Sequence, residues 1–366
     1  VPMELSMRIE LERRSAQSPV FEFLAPLLAV MAAVAIGGAL LSVIGKSPQQ
    51  AFLVYFVEPF SDAWSLQELA VKAAPLILVA SGLAFCYRAN LWNIGAEGQF
   101  VIGGLVGGTI AVVTHGTDHL LGGYWILPAM LVAGTLAGMA YAMVPAFLRV
   151  KLGASEILTS LMLVYIAEIT LDYFVRGRLR DPKGFNFPQS VPFEDIARLP
   201  FLAEGERLHA GILFALAAVF LSAYIFRRTL FGFDVKLVGS APKAARFAGF
   251  SEGKLTFAVF AISGGAAGLA GVCEVAGQIG QLQPVISPGY GFSAIIVAFL
   301  GRLQPWGIFC AGLVLALTII GGENAQIAMK VPLDMTRVFQ GTLLMCVLAM
   351  DVLTRYRLRL SLWRRA

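Results

Sequence analysis

Charge is what this chain has least of. Only 14% of its 366 residues are Asp, Glu, Lys or Arg, against 58% hydrophobic, where a soluble domain carries about 25% charged residues. That scarcity excludes an ordinary water-soluble fold, and the mean hydropathy of +0.76 points the same way. Cysteine and histidine are sparse too. Cys86, Cys273, Cys310 and Cys346 stand singly inside apolar runs. With neither Cys-x-x-Cys nor a zinc-like His/Cys spacing, they read as small apolar core residues. His115, His119 and His209 fall in or beside loops, and the i,i+4 pair His115/His119 lacks a third ligand, so no metal site is expected. No Ser/His/Asp set or paired acids stand at one depth, which leaves no catalytic residue to name. Gly45-Lys46-Ser47 imitates the end of a phosphate loop, but Leu40 stands where its first glycine is required.

What the chain has instead is long apolar runs, several near or above the roughly 20 residues that cross about 30 Å of hydrocarbon. Set against Pro, Gly and charge breaks, they predict an all-α, polytopic membrane helix bundle of about ten spans. These lie at 22–44, 68–87, 94–114, 124–148, 155–175, 209–226, 255–278, 289–301, 305–322 and 335–353. The first run leads into Gly45-Lys46-Ser47-Pro48 without a small-residue cleavage pattern, so it is expected to remain a span. Residues 1–21 then form a cytoplasmic N-terminal segment, 22–353 the membrane domain and 354–366 a basic cytoplasmic tail. With both termini inside, eighteen of the 28 Lys and Arg fall on the cytoplasmic side, a clear positive-inside bias. The lipid bilayer accounts for the net charge of +5, and no nucleic-acid partner is needed.

Gly103/Gly107, Gly104/Gly108, Gly134/Gly138 and Gly264/Gly268 each stand four apart, a spacing that lets helix backbones close up in lipid. A short internal echo pairs Asn93-Ile-Gly-Ala-Glu-Gly-Gln-Phe100 with Ser287-Pro-Gly-Tyr-Gly-Phe-Ser293, each opening an apolar helix. Internally repeated transporters place their substrate path at such interruptions. The first of the two overlaps Arg88–Gln99, a polar segment wedged between two spans. Polar groups at membrane depth survive mostly where they line protein or a wet cavity. Asn90, Trp92, Asn93, Glu97 and Gln99, with Tyr290 and Phe292, are therefore the candidate substrate-path residues, able to hydrogen-bond and stack against a solute. The alternative for Asn93, Glu97 and Gln99 is that they satisfy backbone groups freed at the helix break, and for Trp92 that it anchors at the membrane surface.

Two long connections remain, an outer loop at 176–208 and an inner one at 227–254. Inside the second, Ser240 can cap, Pro242 fits a first turn, Lys243–Ala248 favours helix and Gly249 fits the left-handed position that ends it. A helix so short cannot stand alone in water, so it is expected to dock.

Four stretches carry a specific resemblance. They are Asn90-Leu-Trp-Asn-Ile-Gly-Ala-Glu-Gly-Gln99, Leu152-Gly-Ala-Ser-Glu-Ile-Leu-Thr159, Val238-Gly-Ser-Ala-Pro-Lys-Ala-Ala-Arg-Phe-Ala-Gly249 and Gly289-Tyr-Gly-Phe-Ser-Ala-Ile-Ile-Val-Ala-Phe-Leu-Gly301. Together they resemble the permease family of bacterial ATP-binding-cassette (ABC) importers for branched-chain amino acids, simple sugars and nucleosides, from about residue 60 to 350. The Asn90–Gln99 form and the long outer loop most resemble the nucleoside-type branch. The resemblance implies a permease subunit that forms the path for a small polar solute, nucleosides foremost and simple sugars as the alternative. It implies no cofactor on this chain, with ATP and Mg on a separate ABC ATPase subunit. It further implies a second permease subunit of different sequence and an extracytoplasmic solute-binding protein. The ATPase-coupling element would comprise Gly239, Ser240, Lys243, Ala244, Ala245, Arg246 and Gly249, with Ser240 standing where Asn is commoner. The intramembrane acids Glu97, Glu168, Asp172 and Glu274 keep a rival from another class open, an ion-coupled secondary transporter.

Overall fold

Lipid leaves a backbone no partner but itself, so apolar runs of this length fold as helices. The computed structural model describes residues 5–13, 19–117, 123–202, 207–332 and 334–364; His119 and parts of the two terminal segments lie outside the described residues. The helices are α1 (Pro19–Val43), α2 (Pro48–Phe56), α3 (Ala63–Arg88), α4 (Ala96–Thr114), α5 (Ile126–Leu152), α6 (Glu156–Arg176), α7 (Gly211–Arg228), α8 (Leu230–Ser240), α9 (Pro242–Phe247), α10 (Glu252–Cys273), α11 (Tyr290–Leu300), α12 (Pro305–Met329) and α13 (Asp334–Arg355). Among the described residues, nine helices are long and apolar enough to cross a membrane. They coincide with nine of the ten expected spans. The exception is α11, whose 11 residues reach only about 16 Å at 1.5 Å per residue. Pro284, Pro288 and Gly289 (φ +104°) break the chain before it, so the expected eighth span is a half-helix entered by non-helical backbone.

Two strands were not part of the all-helical expectation. β1 (Leu5–Arg13) pairs antiparallel with β2 (Tyr356–Arg364), setting Met7 opposite Leu362, Glu10 opposite Arg359 and Glu12 opposite Arg357. Apolar and polar residues alternate in both segments, the period-2 pattern of a strand.

The chain divides into two compact units, Val1–Tyr55 with Gly322–Ala366, and Phe56–Gly321. In the first, α1 packs on α13, the Phe339 ring covers Gly37, and the Tyr55 hydroxyl lies 3.3 Å from Thr336 Oγ1.

In the second unit α3 is the most enclosed span. Around it, α4, α5 and α10 meet through their glycines. A Cβ on Gly103 would overlap Gly268, and one on Gly138 would overlap Gly264 and Gly268. Backbone contact of this kind replaces the hydrophobic drive that lipid cannot supply. Cys86 and Cys273 are buried as core thiols, whereas Cys310 is exposed.

The 227–254 connection is largely helical. Thr229 caps α8, its Oγ1 accepting from the Gly232 N–H at 3.1 Å. Val235 and Val238 of α8 and Ala245 of α9 are buried with Phe85, Leu91 and Phe260, so both short helices dock on the bundle. Ser240 does not cap α9: its Oγ donates back to the Lys236 carbonyl at 2.8 Å, closing α8, and Ala241 takes the cap position. Pro242 does open α9, and Gly249 follows it in the left-handed region at φ +86°.

Candidate functional site

α3 ends at Arg88, and Asn90 turns the chain in the left-handed region (φ +57°). The non-helical backbone that follows frees N–H groups in a dry interior, where each unpaired donor costs about 1–3 kcal/mol. Side chains take them up. The Trp92 N–H donates to Glu156 Oε1 at 3.3 Å, Ile94 N–H to Ser160 Oγ at 3.2 Å and Gly95 N–H to Asn93 Oδ1 at 3.1 Å. The Tyr87 hydroxyl donates to the Asn93 carbonyl at 3.2 Å. Glu156 is itself ion-paired with Arg149.

Asn93 and Gln99 form a reciprocal amide pair, Asn93 Nδ2 donating to Gln99 Oε1 at 2.9 Å and Gln99 Nε2 to Asn93 Oδ1 at 3.0 Å. Asn93 Nδ2 also donates to Ser263 Oγ of α10 at 3.0 Å, and both amides are buried. Trp92 stacks on Phe299 and meets Tyr87 at a tilt, ring centroids 5.6 and 5.4 Å away. Tyr290 is enclosed against Phe100 at 6.0 Å. Asn90 and Phe292 are exposed.

Glu97 is buried, and one of its carboxylate oxygens accepts from the Gly291 N–H at 2.6 Å. A side chain at 291 would collide with the backbone of Glu97, so only glycine permits this approach. Ser287 Oγ accepts from the N–H groups of Gly289 and Tyr290 at 3.1 and 3.0 Å. The two members of the internal echo thus meet at the first turns of α4 and α11.

Beside them lies a cavity of about 480 Å³. Glu97, Glu168, Asp172, Arg176 and Ser287 supply its polar lining, and Val101, Ile169, Leu171 and Pro284–Ile286 its apolar wall. Arg176 Nε is committed to Asp172, at 2.7 and 2.8 Å from its two oxygens. Of the seven substrate-path candidates, Glu97 alone lines this cavity; Asn93, Gln99, Trp92 and Tyr290 are held in the surrounding packing. Glu168 and Asp172 join Glu97 here, whereas Glu274 sits in a separate small cavity with His209. Ser160 and Ser263 escaped the sequence reading, as did the gripping roles of Glu156 and Ser287. The i,i+4 spacing of Glu156 and Ser160 on one helix face was the available signal. Among the described residues no three His, Cys, Asp or Glu cluster as a metal site.

At the end of α8, Gly239 packs against the Arg88 carbonyl with no room for a Cβ. Arg88 Nε donates to the Leu303 carbonyl at 2.9 Å, and its guanidinium carbon lies 3.9 Å from the centre of the Phe226 ring. Lys243, Ala244, Arg246, Phe247 and Gly249 face outward, while Ala245 is buried. Arg246 pairs with Glu252 at 3.1 Å.

Residues 65–348 match the family described as branched-chain amino acid transport system / permease component. The chain belongs to that family. The permease is 36% identical to the glucose ABC transporter permease protein TsgB13 of Haloferax volcanii, over 99% of this chain and 96% of the relative. It is 30% identical to the guanosine ABC transporter permease protein NupP of Bacillus subtilis (84% and 88% covered). It is 28% identical to the nucleoside ABC transporter permease protein NupB of Lactococcus lactis (82% and 84%). It is an ABC transporter permease subunit, a multi-pass protein of the inner membrane that works with an ATPase partner. The four stretches that carry the family resemblance are those the fold gathers. Asn90–Gln99 grips Leu152–Thr159 through Glu156 and Gly289–Gly301 through Gly291, and the Arg88–Ala89 backbone just before it meets Gly239 of Val238–Gly249.

Proposed function

We propose that this permease contributes half of the path of an importer for a small hydroxylated solute, nucleosides foremost, and that ATP and Mg are handled wholly by its ATPase partner. The observation that carries the reading is the cavity of about 480 Å³ with Glu97, Glu168 and Asp172 in its lining. Its size lies in the roughly 300–1,000 Å³ range of small-ligand sites, and carboxylates accept from hydroxyls of a ribose or a hexose alike. Relatives named for guanosine and nucleosides favour the first; simple sugar is the second reading, favoured by a relative named for glucose. Asn93, Gln99 and Tyr290 then serve as scaffold behind the wall rather than as contacts.

The outward-facing Lys243, Arg246 and Phe247 of α9 form the surface offered to the ATPase. The β1–β2 pairing supports both chain ends lying on one side of the membrane, and the Lys/Arg bias makes that side cytoplasmic. A second permease of different sequence and an extracytoplasmic solute-binding protein complete the assembly. Uptake of labelled guanosine and glucose into proteoliposomes holding the whole assembly tests the reading. ATP- and binding-protein-dependent guanosine uptake is expected. No uptake of any nucleoside removes the first substrate, and uptake driven by an ion gradient without ATPase would overturn the importer in favour of a secondary transporter.

A further inference from the structure

His209, at the end of the outer loop, is enclosed, with only 3% of its surface exposed. Its Nδ1 accepts a hydrogen bond from the Gly211 N–H at 3.1 Å. The proton of the neutral ring therefore sits on Nε2, and burial pushes the histidine below its ordinary pKa, which keeps the ring neutral. Among the described residues Nε2 has no protein partner. The ring lies flat on Gly277, where a Cβ would stand 2.6–2.7 Å from Cε1, Nδ1 and Nε2. Gly277 belongs to Glu274–Ile279, a π-helical turn that extends α10; such wide turns concentrate at functional sites. His209 and Glu274 line one small cavity of about 10 Å³, together with Gly211, Cys273 and Pro75. Glu274 is buried, and Lys72 and Glu68 of α3 act on it electrostatically.

We propose that one water molecule occupies this cavity, accepting from His209 Nε2–H and donating to the Glu274 carboxylate, and so fastens the outer loop to the π-turn. The volume is that of about one water, and a buried water needs two to four polar partners, of which the donor and the carboxylate are two. A buried imidazole N–H would otherwise go unpaired, which native interiors rarely allow. The bridge closes a seam that backbone bonds already draw. Leu199 N–H donates to the Ala276 carbonyl at 3.0 Å, Phe193 N–H to Gly280 at 2.8 Å and Ser190 N–H to Leu282 at 2.9 Å. The next residues, Pro284–Ser287, wall the larger cavity, so the water helps hold that wall to the outer loop whatever the solute.

Two measurements on the full transporter in lipid nanodiscs test this. A high-resolution cryo-EM map should show a density peak within hydrogen-bond reach of both Nε2 and a Glu274 oxygen. A direct Nε2–carboxylate contact or a featureless cavity overturns the proposal. In hydrogen exchange, Glu274→Leu and His209→Phe should speed exchange of the 190–199 amides about tenfold. Glu274→Gln, which keeps an acceptor for the water, should stay within about twofold. Should His209→Phe fail to fold, the Leu/Gln pair at 274 decides, and equal exchange in both variants overturns the proposal.

Discussion

The Gly291 backbone N–H reaches the Glu97 carboxylate across 2.6 Å, joining the first turns of two helices whose contacting residues stand 194 apart in sequence. The carboxylate therefore has two tasks, fastening α11 and presenting charge to the cavity. Glu97→Leu leaves the amide unpaired and should cost about 1–3 kcal/mol, read as a lowered melting temperature of the purified transporter. Glu97→Gln keeps an acceptor for Gly291 but removes the charge. Its melting temperature should stay near that of the parent while KM for uptake rises. Equal KM in parent and Gln variant would show that the charge plays no part in solute contact.

The Asn93–Gln99 pair behaves as a unit because each amide is the other's partner. Asn93→Leu or Gln99→Leu alone strands a buried amide, about 1–3 kcal/mol each. The double variant should cost less than the sum by about 0.5–3 kcal/mol. A strictly additive double-mutant cycle would refute the coupling.

Charge reversal at Arg246 tests the proposed ATPase surface. Its guanidinium is exposed and its intramolecular partner is Glu252, so Arg246→Glu should leave membrane insertion and melting unchanged while abolishing ATP-driven uptake. Gly239→Val should act differently, since it drives a side chain into the Arg88 carbonyl. Its folded yield should fall, measured by size-exclusion chromatography of the extracted protein.

The buried His209 gives a pH dependence of definite sign. Its folded pKa is lowered by burial, so below the unfolded value of about 6.5 the unfolded chain takes up a proton that the folded chain refuses. Stability should be complete above pH 6.5 and be lost progressively as pH falls through that value. Glu274 and Cys273 stand beside the ring and Lys72 and Glu68 act on Glu274, so the comparison must be with His209→Gln rather than between pH values alone. Melting curves at pH 8 and 5.5 should show a smaller loss in the variant; an identical loss would assign the effect to other groups.

Much of the architecture was legible because its signals are local. Nine spans follow from run length, and α9 follows from Pro242 and Gly249, since each acts within one turn of itself. The reading of Ser240 as a cap failed for an equally physical reason: α8 continues through it, so its hydroxyl bonds the preceding turn instead. The expected eighth span keeps only an 11-residue helix, α11, because Pro284, Pro288 and Gly289 break the chain ahead of it.

The sequence by itself determined that the chain lives in a membrane, where its helices run and which family it resembles, since each rests on short contiguous stretches of the chain. Only the tertiary structure decided that Glu156, Ser160 and Ser263 satisfy the Asn90–Gln99 break, that Glu97 faces a cavity while Asn93 and Gln99 do not, and that His209 lies on the π-turn. Those outcomes depend on hydrogen bonds and close approaches between distant segments, and such pairings leave no periodicity along the chain from which they could be read.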